Sequence, residues 1–217
     1  MKSADFLARL RTRTSREPVP LPPLPSREPP SLERFAAELE SVKGHFTTVA
    51  EDSLSAAILE VARQYRADSF VMAGTAGLAS QDIASKLVAS GIEQVRYPSD
   101  STLARKALAR VSMGIVEADV GISESGTIGI VGSPVNGRLI SALPPVLVVM
   151  LDPRRLVSRL EDMEDWVKAR GPLPSSLSFI TGPSATGDLG QKLIFGAHGP
   201  AHVHVLAFSA PSLAPAA

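Results

Sequence analysis

The sequence predicts an α/β protein built on a parallel sheet. Two observations carry that reading. Short apolar segments alternate with longer amphipathic ones, the rhythm of strand-helix-strand units. Val146 to Leu151 is an unbroken apolar run, as a strand buried on both faces requires.

The elements follow in chain order. Phe6, Leu7 and Leu10 give residues 3–14 one apolar side, with Arg9, Arg11 and Arg13 on the other, so a short amphipathic helix is predicted. Residues 17–30 hold seven prolines, which lack the N–H and fix φ, and read as an extended linker. Residues 1–30 are therefore an arm, either a frayed terminus or a segment that docks on a neighbouring subunit or partner. The α/β domain is expected over residues 31–209, with a loose Ala/Pro-rich tail at 210–217.

Within the domain, Ser31 caps a predicted helix to about Val42, with Phe35, Leu39 and Val42 on its apolar side. Strands are expected at 45–50, 69–73 and 93–97, and helices at 53–66, 80–90 and 101–110. Asp152-Pro153 pairs an N-cap with a first-turn proline. Leu156, Leu160, Met163 and Val167 then continue at helical spacing to a stop at Gly171-Pro172. Trp166 lies near that face and reads as packing. Strands at 177–181 and 202–209 flank a Gly/Ser/Thr loop at 182–187, a helical stretch at 188–195 and a second loop at 196–200.

Composition limits the function. Hydrophobic residues make up 44% of the 217 and aromatics only 5%, so a large core of Leu, Val, Ile and Ala is expected. The 22 basic and 22 acidic residues balance, and no long basic run argues for nucleic acid. The absence of cysteine excludes disulfides, thiolate zinc sites and cysteine-held iron–sulfur clusters within these residues. No apolar run is long enough to span a bilayer, and the first residues lack a signal-peptide core. A cytoplasmic protein is expected.

The chemistry is expected around Ala118 to Gly132, an apolar strand, a polar turn and a second apolar strand. Ser123, Ser125, Gly126 and Thr127 bring small side chains and close backbone N–H groups, with the carboxylate of Glu124 in their midst. Glu124 is a candidate nucleophile, base or anchor, or a solvated turn residue. Two more polar loops follow apolar strands, one holding Gly74 and Thr75, the other Gly182, Ser184 and Thr186. In open α/β sheets ligands bind beyond the carboxyl ends of strands, so the three loops would suit a small anion. None matches a P-loop or a dinucleotide fingerprint. Arg138 is the natural cation, and His198, in a Gly-His-Gly-Pro turn, the candidate for binding or proton transfer. Asp188 reads as a helix-start acid. His202 and His204 would share a strand face, a spacing metals can use, but no nearby cysteine supports a site, the sequence singles out no third ligand, and no metal is assigned. A Ser-His-Asp triad lacks its Gly-x-Ser-x-Gly elbow and is rejected.

These residues also carry a family resemblance. Ala118-Asp119-Val120-Gly121-Ile122-Ser123-Glu124-Ser125-Gly126-Thr127 resembles the core motif of the LUD-domain proteins. Arg138 with Leu143-Pro144-Pro145 resembles its next segment. Residues 181–189 followed by Gly196-Ala197-His198-Gly199-Pro200 resemble its last signature. The similarity runs from about residue 31 to 208 and departs at Ser125, where Thr is usual, and at Gly187, where Ala is common. It implies a Rossmann-like three-layer sandwich of the NagB/RpiA/CoA-transferase type. It also implies a non-redox role beside iron–sulfur partner proteins that oxidise L-lactate to pyruvate, with the clusters held by the partners and no cofactor on this chain. A homo-oligomer is compatible. A rival reading comes from Ser123 to Gly129, which is similar to the Ser-Glu-Asn-Gly-x-x-Gly motif of CoA transferases. There the Glu forms an acyl thioester; Ser125 stands here in place of the Asn.

Overall fold

The computed structural model describes residues 28–73, 79–98, 100–133, 137–171, 174–187 and 193–209. The expectations for the helix at 3–14, most of the linker, the Gly74-Thr75 loop, Asp188 and the tail lie outside those residues.

A six-stranded sheet divides the core. Its strands are β1 (His45–Ala50), β2 (Ser69–Met72), β3 (Glu93–Gln94), β4 (Met113–Glu117), β7 (Val146–Leu151) and β12 (His202–Ser209). Their order is β1-β12-β7-β4-β2-β3 and every pairing is parallel. All six residues of β7 are buried, as its apolar run demands.

The period of two sends alternate residues of each strand to opposite layers. Val146, Val148 and Met150 of β7 join Met113 and Ile115 of β4 on one face. There they meet Leu54, Ile58 and Val61 of α2 (Leu54–Gln64) and Ile83 and Leu87 of α3 (Ala79–Ala89). Leu147, Val149 and Leu151 face the other way with Val203 and Val205 of β12.

The layer beyond that second face mixes helices with a second sheet. Its helices are α1 (Leu32–Ser41), α4 (Ser101–Leu108) and α5 (Leu139–Ala142). Its strands are β5 (Val120–Ile122), β6 (Thr127–Val131), β8 (Leu156–Val157) and β9 (Leu177–Ile180), in the order β8-β5-β6-β9. β5–β6 and β6–β9 are antiparallel. The three layers agree with the expected sandwich; the second sheet is an addition to it.

Local chemistry accounts for the helices that frame this layer. Ser31 caps α1 by accepting the Arg34 N–H at 3.1 Å. Phe35 and Leu39, four apart, are both fully buried. Asp100 caps α4 by accepting the N–H groups of Thr102 and Leu103 at 2.9 and 2.8 Å. Helix α5 lies on β4 at Gly114, where a Cβ would come within 2.3 Å of the Ile140 carbonyl oxygen.

Two expectations need correction. The predicted helix from Asp152 is broken: a 3-10 turn (Pro153–Arg155), then β8, a second turn (Leu160–Asp162) and α6 (Met163–Ala169). Leu156 and Val157 pair with Gly121 and Ile122 on the open edge of β5, and the Asp162 carboxylate accepts the N–H groups of Ser158 and Arg159. Sheet pairing outweighs the helical spacing. Residues 185–187 were expected in a loop and 193–195 at the end of a helix. Instead, β10 (Ala185–Gly187) and β11 (Leu193–Phe195) form an antiparallel hairpin.

Candidate functional site

Ser123 to Gly126 form the turn between β5 and β6, so they cap an antiparallel hairpin of the second sheet. They do not lie beyond the carboxyl end of a strand of the six-stranded parallel sheet, where the sequence reading had them. Helix α1 closes over the turn. Ser123 Oγ accepts the Ser31 N–H at 3.1 Å. Gly126 has φ +60°, and a Cβ there would sit 2.3 Å from the Leu39 nitrogen. Glycine is needed twice over, for the left-handed backbone and for the helix packed on it.

Glu124 is engaged structurally. Its Oε1 accepts the Leu160 N–H at 2.8 Å, at the start of the second 3-10 turn, while its own N–H donates to the Ser158 carbonyl at 3.0 Å. The carboxylate thus caps the first N–H of that turn, beside the Asp162 carboxylate that accepts the Arg159 N–H.

A cavity of about 360 Å³ lies elsewhere in the same layer, between α5, β9 and the loops at 181–184 and 198–200. Pro200 and Ala201 lead directly into β12, and the Ala201 N–H donates to the Pro145 carbonyl just before β7, so the cavity sits at the amino ends of these two strands. Leu139, Ala142, Phe179 and Ile180 form apolar walls. Arg138, Ser141, Thr181, Ser184 and His198 supply polar ones. No Asp or Glu stands among the described residues that line it.

Ser184 ties the two loops together. Its N–H donates to the Pro200 carbonyl at 2.9 Å, its carbonyl accepts the Gly196 N–H at 2.8 Å, and its Oγ accepts the His198 N–H at 3.4 Å. Buried Gly182 turns the first loop with φ +79° against Val42. Ser141 is buried and donates to the Arg138 carbonyl at 3.1 Å. Arg138 itself is exposed and precedes α5; among the described residues no carboxylate pairs with it. It also lines a smaller cavity with Gly132, Gly137 and Ser176.

Arg138, Gly182, Ser184 and His198 are therefore brought together, and Glu124, Ser123, Ser125, Gly126 and Thr127 are not part of the wall. Thr186 pairs with Ile194 across the β10–β11 hairpin and is also outside it. Thr181, Phe179 and Leu139 were missed. A polar residue ending an apolar strand, directly before a Gly-Pro turn, was the available signal for Thr181. The cavity presents one guanidinium, an imidazole and hydroxyls over an apolar floor, a lining whose chemistry suits a small anion.

The histidines at 202 and 204 do share a strand face, with a structural arrangement. His204 stacks on His45 at 4.4 Å between centroids, and its Nε2 is 3.0 Å from the Tyr65 hydroxyl. Burial, with His45 and His202 nearby, pushes the His204 pKa down to about 4. Among the described residues no group of three or more His, Asp or Glu is placed to hold a metal ion.

Comparison with known proteins gives the lineage. The LUD domain model matches residues 32–208, nearly the whole of the three-layer unit. The chain belongs to the LUD domain family. This LUD domain is 33% identical over 107 residues to lactate utilization protein C of Anoxybacillus flavithermus, covering 48% of each chain. It is 30% identical over 153 residues to the protein of the same name from Halalkalibacterium halodurans, covering 69% of this chain and 66% of that one. The alignment thus spans about half the length of the first relative and two thirds of the second. In structure it is similar to a DUF162 family protein from Deinococcus radiodurans, with a TM-score of 0.61, 21% identity, and coverage of 82% of this chain and 96% of that one. That likeness supports the α/β fold. Among the described residues no helix is long and apolar enough to cross a membrane.

Proposed function

We propose that this LUD domain works in lactate utilization by binding a small monocarboxylate of the lactate type in the cavity beside Arg138. It acts as a non-redox component, in the cytoplasm, alongside iron–sulfur partner proteins that oxidise L-lactate to pyruvate. The observation that carries the reading is the cavity itself. Its described walls hold Arg138, His198 and four hydroxyl residues, lack any carboxylate, and keep an apolar floor that suits a short carbon chain. The names of the relatives supply the physiological setting. The lack of cysteine supports placing the clusters on partners.

The rival reading, acyl transfer through Glu124, is less well supported. That carboxylate already accepts a backbone N–H and is not among the residues that line the Arg138 cavity. Affinity purification from its host grown on L-lactate tests the setting. Co-purification of two cysteine-rich iron–sulfur proteins in fixed ratio is expected. Recovery of the chain alone, together with an acyl adduct on Glu124 after incubation with acyl-CoA esters, would favour the rival.

A further inference from the structure

We infer that the β10–β11 hairpin is a docking surface for a second copy of this chain, and that two copies pair their β11 strands about a two-fold axis. The inference is independent of the ligand proposed above.

β10 and β11 form a sheet of their own, and among the described residues β11 pairs only with β10. Its other edge is open. A lone two-stranded sheet is marginally stable in water, and further strands or a packed face are needed to secure it. β11 carries three large apolar residues in a row, Leu193, Ile194 and Phe195, which are 66, 50 and 44% exposed. The period of two sends Leu193 and Phe195 to one side and Ile194 to the other, so the strand is apolar and exposed on both sides. Exposed edges are usually blunted by lysine, proline or a bulge. None of these stands in β11, and residues 184–187 and 193–197 hold no charged side chain.

The strand is complementary to its own copy. A two-fold axis perpendicular to the sheet keeps each side of the strand on the same side of the sheet. Directly opposed residues also share a side, so a strand that pairs antiparallel with its copy sets one residue opposite itself. For β11 that residue is Ile194, the one choice that pairs all three positions. Leu193 then stands opposite Phe195 of the partner subunit. The result is a four-stranded sheet in the order β10-β11-β11-β10, with every cross-strand pair at the new seam apolar. Exposed fractions near one half leave roughly 300 Å² of apolar side chain per copy, or about 600 Å² for the pair. A specific interface is a little over half apolar, so this seam belongs to one of about 1,000 Å² in all, the lower limit for a specific contact and the range of a reversible dimer.

The hairpin grows from the loops that line the Arg138 cavity. Ser184 precedes β10, Gly196 follows β11, and the Gly196 N–H donates to the Ser184 carbonyl at 2.8 Å. The dimer therefore sets one cavity near either end of the seam.

Sedimentation velocity of the full chain over a range of micromolar concentrations tests this. The unaltered chain is expected to show a reversible monomer–dimer equilibrium. Ile194→Lys and Ile194→Glu each oppose two like charges across the axis, so each should weaken the dimer by about tenfold or more. An equimolar mixture of the two variants should regain a dimer, since a lysine then faces a glutamate. Thermal unfolding of each variant should match that of the unaltered monomer, because Ile194 is half exposed in the single copy, and so separates lost pairing from lost fold. A chain that is monomeric at every concentration, a dimer unmoved by either charge, or two variants that do not pair with each other would overturn the inference.

Discussion

Arg138 and His204 illustrate how the same kinds of side chain are put to opposite uses. Arg138 stands exposed at a cavity rim with no carboxylate partner among the described residues, so its guanidinium is available to the anion proposed for the cavity. His204 is 6% exposed beside Tyr65, His45 and His202, where a proton is unwelcome. Its pKa of about 4 in the folded chain compares with about 6.5 when unfolded. The unfolded chain takes up the proton first. Stability from this group is thus complete above pH 6.5, falls as pH drops below that, and is fully lost near pH 4. The loss should amount to about 3 kcal/mol. Thermal unfolding from pH 7.5 to 4 should show it, and His204→Gln should flatten that part of the profile. The spacing of His202 and His204 was enough to place them on one face. Their partners, His45 and Tyr65, come from elements far away in sequence, and so were invisible to a reading by spacing.

At the scale of elements, the turn from Ser123 to Gly126 joins the most distinctive stretch of sequence to the first helix. Gly126→Ala would strain a left-handed residue and drive a methyl group into the α1 backbone, at a cost of about 2–4 kcal/mol. Denaturant unfolding measures that cost, and a loss below about 1 kcal/mol would show that α1 can yield. Glu124 is predicted to behave as a cap. Glu124→Gln keeps an acceptor for the Leu160 N–H and should leave ligand affinity within about twofold, whereas Glu124→Ala should lower stability by about 1 kcal/mol. Calorimetry and unfolding of the two variants check this together. A loss of ligand binding in Glu124→Gln would return Glu124 to the site. The strand-turn-strand character of residues 118–132 was legible because both strands are apolar and the turn is not. The break at Leu156 was not legible, since four apolar residues at helical spacing look the same whether or not β5 has an open edge waiting for them.

On the scale of the whole molecule, the parallel sheet was readable from its buried runs, above all Val146 to Leu151. The second sheet was not, because it is assembled from pieces at 120–131, 156–157 and 177–180 whose pairing is decided by tertiary contact. The same distinction governs the site. Arg138, Gly182, Ser184 and His198 were singled out as chemically suited, and the fold draws them from the start of α5 and two loops into one cavity. The motif around Glu124 was singled out for equally good local reasons, yet the fold sets it under α1. Its remaining link to the cavity is the hydroxyl chain from Ser125 through Thr127 to Thr181. That architecture leaves the amino ends of β7 and β12, rather than the carboxyl ends of the parallel strands, as the place where ligand binding is proposed.

The central claim is that this cavity binds a small monocarboxylate through Arg138. Calorimetric titration of the full chain with L-lactate, repeated for Arg138→Ala, tests it most directly. The account predicts saturable binding by the unaltered chain and a loss of about tenfold or more in Arg138→Ala, with unfolding behaviour unchanged because the guanidinium is exposed. Binding of equal strength in both chains, or none in the unaltered one, would contradict it.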